Sequence, residues 1–200
     1  MSPSPEVPSL PRTNPAPDRA EGDFSAQERN FLLRVAHQSI EAVFDQREMS
    51  LDPLSPRLAE PRGAFTTIYC RGGLRGCVGY VLPAKPLYRT VAETARAAAF
   101  DDPRFAPITR EEAAVIDISL SILSLLFPIR PEEVEVGRHG LVVAQAGHRG
   151  LLLPQVAVEH GWDRFTFLQE TCRKAGLPAD AWKHGATLQA FTAEVFGDRT

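Results

Sequence analysis

Apolar residues recur along this chain at two spacings, and the switches between them mark out its elements. Leu32, Ala36, Ile40, Val43 and Phe44 follow helical spacing behind Ser25, with Glu28 three residues later. That capping-box signal predicts an amphipathic helix running to about Phe44. The β-prone run Phe65, Thr66, Thr67, Ile68 and Tyr69 predicts a strand over Ala64 to Cys70. The Gly72-Gly73 pair is expected to turn it, with Leu74 to Leu82 returning as a second strand. Leu87, Val91, Thr94, Ala95 and Ala98 predict a second helix that stops near Asp101-Asp102-Pro103, because proline biases its predecessor away from helix. Thr109 and Glu112 repeat the capping-box pattern over a short helix.

Ile116, Ile118, Leu120 and Ile122 then alternate with Asp117, Ser119 and Ser121, a strand with one polar side. Gly140 to Ala146 and Arg149 to Leu153 read as a second hairpin around Gly147-His148. Gly161-Trp162-Asp163 leads into a helix with an expected buried stripe of Phe165, Leu168 and Cys172, ended by Lys174, Gly176 and Pro178. The last stretch, Thr187 to Phe196, reads as one alternating strand with Phe191, Ala193 and Val195 on one side. Ahead of the first helix, residues 1–22 hold Pro3, Pro5, Pro8, Pro11, Pro15 and Pro17 with almost nothing apolar. A disordered or extended tail over 1–22 and a single domain over 23–200 are therefore expected.

Composition narrows the function classes. The 200 residues are 44% hydrophobic and 24% charged, enough for one real core. A net charge of −3 gives no global attraction to nucleic acid or to acidic membrane surfaces. No apolar run approaches the roughly 20 residues that span a bilayer, and no secretory signal opens the chain, so a cytoplasmic location is expected. Cys70, Cys77 and Cys172 are odd in number and scattered, which suits a reducing compartment and not a disulfide framework.

The candidate chemistry lies in the first hairpin. Gly72, Gly73, Gly76 and Gly79 fall within eight residues, around Arg75 and Cys77. Glycine in a strand marks a bulge or a close approach, so a bend with exposed amides is expected. A thiol beside such amides and a guanidinium can be held partly ionised, which makes Cys77 the candidate nucleophile and Arg75 its helper. The bland alternative is a small packed side chain, the usual fate of a free cysteine. Gly73, Gly76 and Gly79 would offer amides to a ligand. Asp102 and Arg104, at the end of the second helix, could approach the same turn, Arg104 as an anion clamp or both as a plain salt bridge. The glycine spacing is neither a dinucleotide fingerprint nor a P-loop, since a strand and not a helix follows it. Cys70 and Cys77 lack the close spacing of a zinc knuckle, so no metal and no cofactor is expected; a redox pair would need both thiols on one face. His37, His139, His148, His160 and His184 are scattered, and Trp162 and Trp182 read as core anchors.

Several strings together resemble the AMMECR domain family, whose bacterial members are called AmmeMemoRadiSam system protein A. They are Leu74-Arg75-Gly76-Cys77-Val78-Gly79-Tyr80, Ala98-Ala99-Phe100-Asp101-Asp102-Pro103-Arg104-Phe105, Ile118 to Ser124, Gly150 to Ala157, Cys172 to Pro178, and Phe191 to Phe196. The resemblance covers nearly all of residues 24–196. Val78 stands where isoleucine is common in the family, and the Pro-rich tail is extra. What the resemblance implies is an α+β fold, a mixed β-sheet with flanking helices in a larger and a smaller lobe, and a cleft near the Arg-Gly-Cys turn. It also implies association with a Memo-like protein and a radical S-adenosylmethionine enzyme. Two function classes follow: a component of that system whose cleft takes an unidentified small molecule through Cys77, or a non-catalytic module that docks a protein on the hairpin. An RNA-associated role is the weakest reading, against the acidic balance.

Overall fold

The computed structural model describes residues 24–199, so the proline-rich segment 1–22 lies outside the described residues. The fold is α+β, built from two four-stranded antiparallel sheets that each carry helices. The first sheet has the order β2-β1-β3-β8, from β1 (Ala64–Cys70), β2 (Gly73–Tyr80), β3 (Ile116–Leu123) and β8 (Ala193–Gly197). The second has the order β4-β7-β5-β6, from β4 (Phe127–Pro128), β5 (Gly140–Gln145), β6 (His148–Leu152) and β7 (Thr187–Phe191). Three helices accompany the first sheet: α1 (Ala26–Phe44), α2 (Leu87–Phe100) and the short α3 (Arg110–Ala113). Two accompany the second: α4 (Pro154–Glu159), which opens on Pro154, and α5 (Arg164–Lys174).

Strand alternation fixes which face of the first sheet is dry. Ala64, Thr66 and Ile68 of β1 and Ile116, Ile118, Leu120 and Ile122 of β3 are buried with Leu32, Ala36 and Ile40 of α1 and Val91, Ala95 and Ala98 of α2. The polar member of that layer is satisfied: Thr66 shares a 2.8 Å hydrogen bond with Thr94, whose hydroxyl also reaches the Thr90 carbonyl. Both capping boxes form as expected, Ser25 with Glu28 and Thr109 with Glu112.

Both hairpins close through two-residue turns whose residues have positive φ, the twist that suits a tight antiparallel return. The turn residues are Arg71 (φ 52°) and Gly72 (83°), and Ala146 (50°) and Gly147 (83°). The first turn thus sits one residue earlier than the Gly72-Gly73 pair suggested, because Cys70 and Gly73 already pair.

Two further expectations are corrected. The stretch 187–196 is not one strand: β7 belongs to the second sheet and β8 to the first, and the chain crosses at Thr192. Alternation therefore resets, leaving Phe191 fully buried and Val195 61% exposed. Ser124 fixes the crossing, since its amide donates to the Thr192 carbonyl at 2.9 Å and its hydroxyl accepts from the Thr192 amide at 3.0 Å. In α5, Phe167, Leu168, Thr171 and Cys172 form the buried stripe while Phe165 faces outward. Leu123, Val142 and Phe191, with Phe65, Val81 and Leu151 against them, form the apolar seam that joins the two lobes.

Candidate functional site

The face of the first sheet opposite its helices carries Thr67 of β1, Cys77 of β2, and Ser119 and Ser121 of β3, all half-buried. Cys77, Thr67 and Ser119 lie directly opposite one another in register, so one thiol and two hydroxyls form a single row across three strands. The Thr67 hydroxyl is 3.3 Å from the Cys77 Sγ. Phe65 and Tyr69 flank Thr67 along β1 on the same face.

Cys77 lies on an edge strand, opposite Thr67, with its own N–H and C=O turned away from β1. Those groups are taken by the segment that follows α2. The Asp102 carboxylate accepts from the Cys77 amide at 2.9 Å, and Arg104 Nη2 donates to the Cys77 carbonyl at 3.3 Å. Arg104 also grips Asp102 through Nε and Nη2 at 3.0 and 2.7 Å, and its own amide donates to the same carboxylate at 3.1 Å. The Arg104 guanidinium first, and the Cys77 amide next, hold the Asp102 carboxyl far below the usual carboxylate range. The pair stands where a neighbouring strand would, closing the edge to a pairing partner at this residue.

Arg75 goes elsewhere. The β1–β2 register slips between Ile68 and Tyr69, so Arg75 is the extra residue of a bulge, and a bulge re-aims its side chain. Its guanidinium makes a two-pronged pair with Glu112 of α3, 3.0 Å on each arm, and donates to the Ala106 and Pro107 carbonyls at 2.6 and 3.3 Å. These bonds raise the Arg75 pKa and lower that of Glu112. The cation that meets Cys77 is Arg104, which the sequence placed near the turn, and not Arg75, which it named as the helper.

The glycines also divide differently from the expected row of open amides. Gly76 is buried against α2, where a Cβ would stand 2.0 Å from the Ala98 carbonyl oxygen, so its lack of a side chain is a packing requirement. A Cβ on Gly79 would meet the Phe65 ring at 2.1 Å. Gly73 remains exposed beside the turn.

Cys70 and Cys77 do not form a redox pair. Cys77 faces Thr67, three residues from Cys70 along β1, which separates them by about 10 Å and puts the side chains on opposite faces of the sheet. Cys70 packs instead against the core of the first lobe. Cys172 is fully buried, and burial pushes its thiol pKa up. Among the described residues none of the five imidazoles hydrogen-bonds to Cys77: His37 meets Asp198 at 2.9 Å, His184 meets Asp180 at 3.2 Å, and His139 is buried in the second lobe with Nδ1 accepting from the Glu135 amide at 3.1 Å. No group of three or more metal-ligating side chains occurs among the described residues. No helix there is long and apolar enough to cross a membrane.

Two partners escaped the sequence reading. Thr67 read as an ordinary β-former, and only its register opposite Cys77 makes it part of the row. Glu112 read as a capping residue, and it serves both Thr109 and Arg75.

Related chains share this sequence and fold over most of their length. A protein of Thermofilum pendens is 38% identical over 199 residues, spanning 90% of this chain and 93% of its own length. One from Methanococcus aeolicus is 39% identical over 183 residues, spanning 86% and 92%. The crystal structure of the uncharacterised protein PH0010 from Pyrococcus horikoshii superposes with a TM-score of 0.70 at 37% identity, covering 87% of this chain and 93% of that one. The AMMECR1 family model matches residues 33–196, from the middle of α1 to the end of β8, and so takes in both lobes and the Cys77 face. The chain belongs to the AMMECR1 family.

Proposed function

We propose that this protein is the ligand-engaging member of a three-part system with a Memo-like protein and a radical S-adenosylmethionine enzyme, working through the open face of the first sheet with Cys77 at its centre. The partners enter through family association alone. The site rests on one observation: the Cys77 amide and carbonyl are both held, from the open edge of β2, by Asp102 and Arg104 while its side chain is left half-buried beside the Thr67 hydroxyl. Backbone groups held this way fix where the thiol sits, which a group that must meet a small ligand in a set geometry requires. Among the described residues a hydroxyl, and no imidazole or carboxylate, is the hydrogen-bond partner of Sγ. That favours the thiol as a binding contact over a base-activated nucleophile.

A second reading, a docking module, is favoured by the apolar residues on the same face. Leu74 is opposite Tyr69, and Val195 is opposite Ser121; they are 45% and 61% exposed. Purified chain, combined with the Memo-like protein and the radical enzyme of the same organism, separates the readings. The ligand reading expects Cys77→Ser to assemble normally and to lose S-adenosylmethionine consumption by the system, whereas the docking reading expects Val195→Glu to lose assembly. Full assembly and full turnover in both variants would refute the role of this face.

A further inference from the structure

The helices carry a concavity on the far side of the first sheet from Cys77. It is a groove of about 660 Å³ between α1, α2 and the segment that leaves α1. Its floor is made of small residues, since Ala42 of α1 and Ala92 of α2 are both nearly buried where the helices meet. Val43, Met49 and Leu51 add apolar wall. Its rim carries Arg47, Arg89 and Arg96 with Glu48 and Glu93.

The rim carries three guanidiniums against two carboxylates, Glu48 and Glu93, and is net positive. Both Glu93 oxygens are taken by Lys85 at 2.8 Å, so that carboxylate is matched from outside the groove. Arg47 lies 3.6 Å from Asp45, which is closer to Arg110 at 3.0 Å. Arg89 donates to its neighbour Tyr88 Oη at 3.2 Å. Among the described residues neither Arg89 nor Arg96 has a carboxylate in ion-pair distance. They lie on α2 at i and i+7, on the face that also presents Ala92, so two guanidiniums outside any ion pair border an apolar floor. A guanidinium without a carboxylate is a ready partner for a planar or tetrahedral anion, and the groove's volume is that of a small-molecule site.

We infer that this groove binds a small organic anion with an apolar body, its acidic head on Arg89 and Arg96 and its body against Ala42, Ala92, Val43 and Leu51. The site is separate from the Cys77 face and does not depend on the function proposed for it.

The test uses 1-anilinonaphthalene-8-sulfonate, an aromatic sulfonate whose fluorescence rises on leaving water, titrated into the folded chain. Saturable binding at one site is expected, with amide shifts in a two-dimensional NMR spectrum concentrated in residues 42–51 and 89–96. Arg89→Gln combined with Arg96→Gln removes two exposed cations and should weaken binding by about tenfold or more with the unfolding midpoint nearly unchanged. Ala92→Phe should block binding by filling the floor, and the double arginine variant keeps the test decisive if that protein does not fold. Octanoate should displace the probe where inorganic phosphate at the same concentration does not. Absence of saturable binding, equal affinity in the double arginine variant, or shifts confined to the Cys77 face would each overturn the inference.

Discussion

Replacing Gly76 with alanine tests how the helix layer and the Cys77 site are coupled. The added Cβ would stand 2.0 Å from the Ala98 carbonyl oxygen and 2.9 Å from its carbonyl carbon, where real contacts stay beyond 3.0 Å. Both obstacles are backbone of α2, so no rotamer change relieves them, and α2 must retreat by about 1 Å. The retreat loosens Ala95 and Ala98, both essentially buried, against β1 and β2. Overpacking of this kind costs about 1–3 kcal/mol, and the rigid partner puts Gly76→Ala near 3 kcal/mol, a large share of a typical domain's 5–15 kcal/mol. The same movement carries Asp102, two residues beyond α2, away from the Cys77 amide. Urea unfolding should show the lowered midpoint, and hydrogen exchange should show faster opening at the Cys77 amide. Gly79→Ala is the internal control: its obstacle is the Phe65 ring and not helix backbone, so a swing of that side chain about χ1 can relieve the contact and the cost should be smaller. A Gly76→Ala midpoint within about 0.5 kcal/mol of the parent, or Gly79→Ala proving the more damaging, would refute the reasoning.

Three further outcomes are expected. Asp102 has a folded pKa well below the ordinary 3.8, so its stabilisation is present above that value and is lost only as pH falls through the lower folded pKa; the Cys77 amide should stay protected from exchange at pH 4 and lose protection in Asp102→Ala, which removes the acceptor. Burial lowers the His139 pKa from 6.5, so the unfolded chain binds more protons as pH drops below about 6.5; stability should fall there, and His139→Gln should flatten that part of the urea-midpoint profile between pH 8 and 5. Arg75→Ala breaks its pair with Glu112 and should cost about 1 kcal/mol, yet it should change Cys77 alkylation far less than Arg104→Ala, which removes the cation at the Cys77 carbonyl.

The sequence made local features legible and long-range ones less so. Both capping boxes and the end of α2 were readable because Ser25, Thr109 and Pro103 act on residues within one turn of themselves. The strands β1, β2 and β3 were readable because alternation records one dry face, and Asp102 and Arg104 were placed near the turn by their position after α2. The single strand expected over 187–196 failed because a crossing at Thr192 between two sheets leaves the alternation looking continuous. The glycines around Arg75 signalled a bend in β2 but not which residue it would displace, so the Arg75 side chain could not be told from one that accompanies Cys77. The role of Gly76 depended on a helix that packs across the sheet, a contact no spacing in β2 encodes. The α1–α2 groove arises from two alanines in different helices and was invisible for the same reason.

Site-resolved alkylation tests the central claim most directly. Iodoacetamide is applied to the native protein and to the protein in urea, and the peptides bearing Cys70, Cys77 and Cys172 are quantified separately by mass spectrometry. A fixed and accessible Cys77 should be modified in the native state while the buried Cys172 reacts only on unfolding. If Cys77 is as protected as Cys172 in the native protein, the open face does not present its thiol and the site proposed there is wrong.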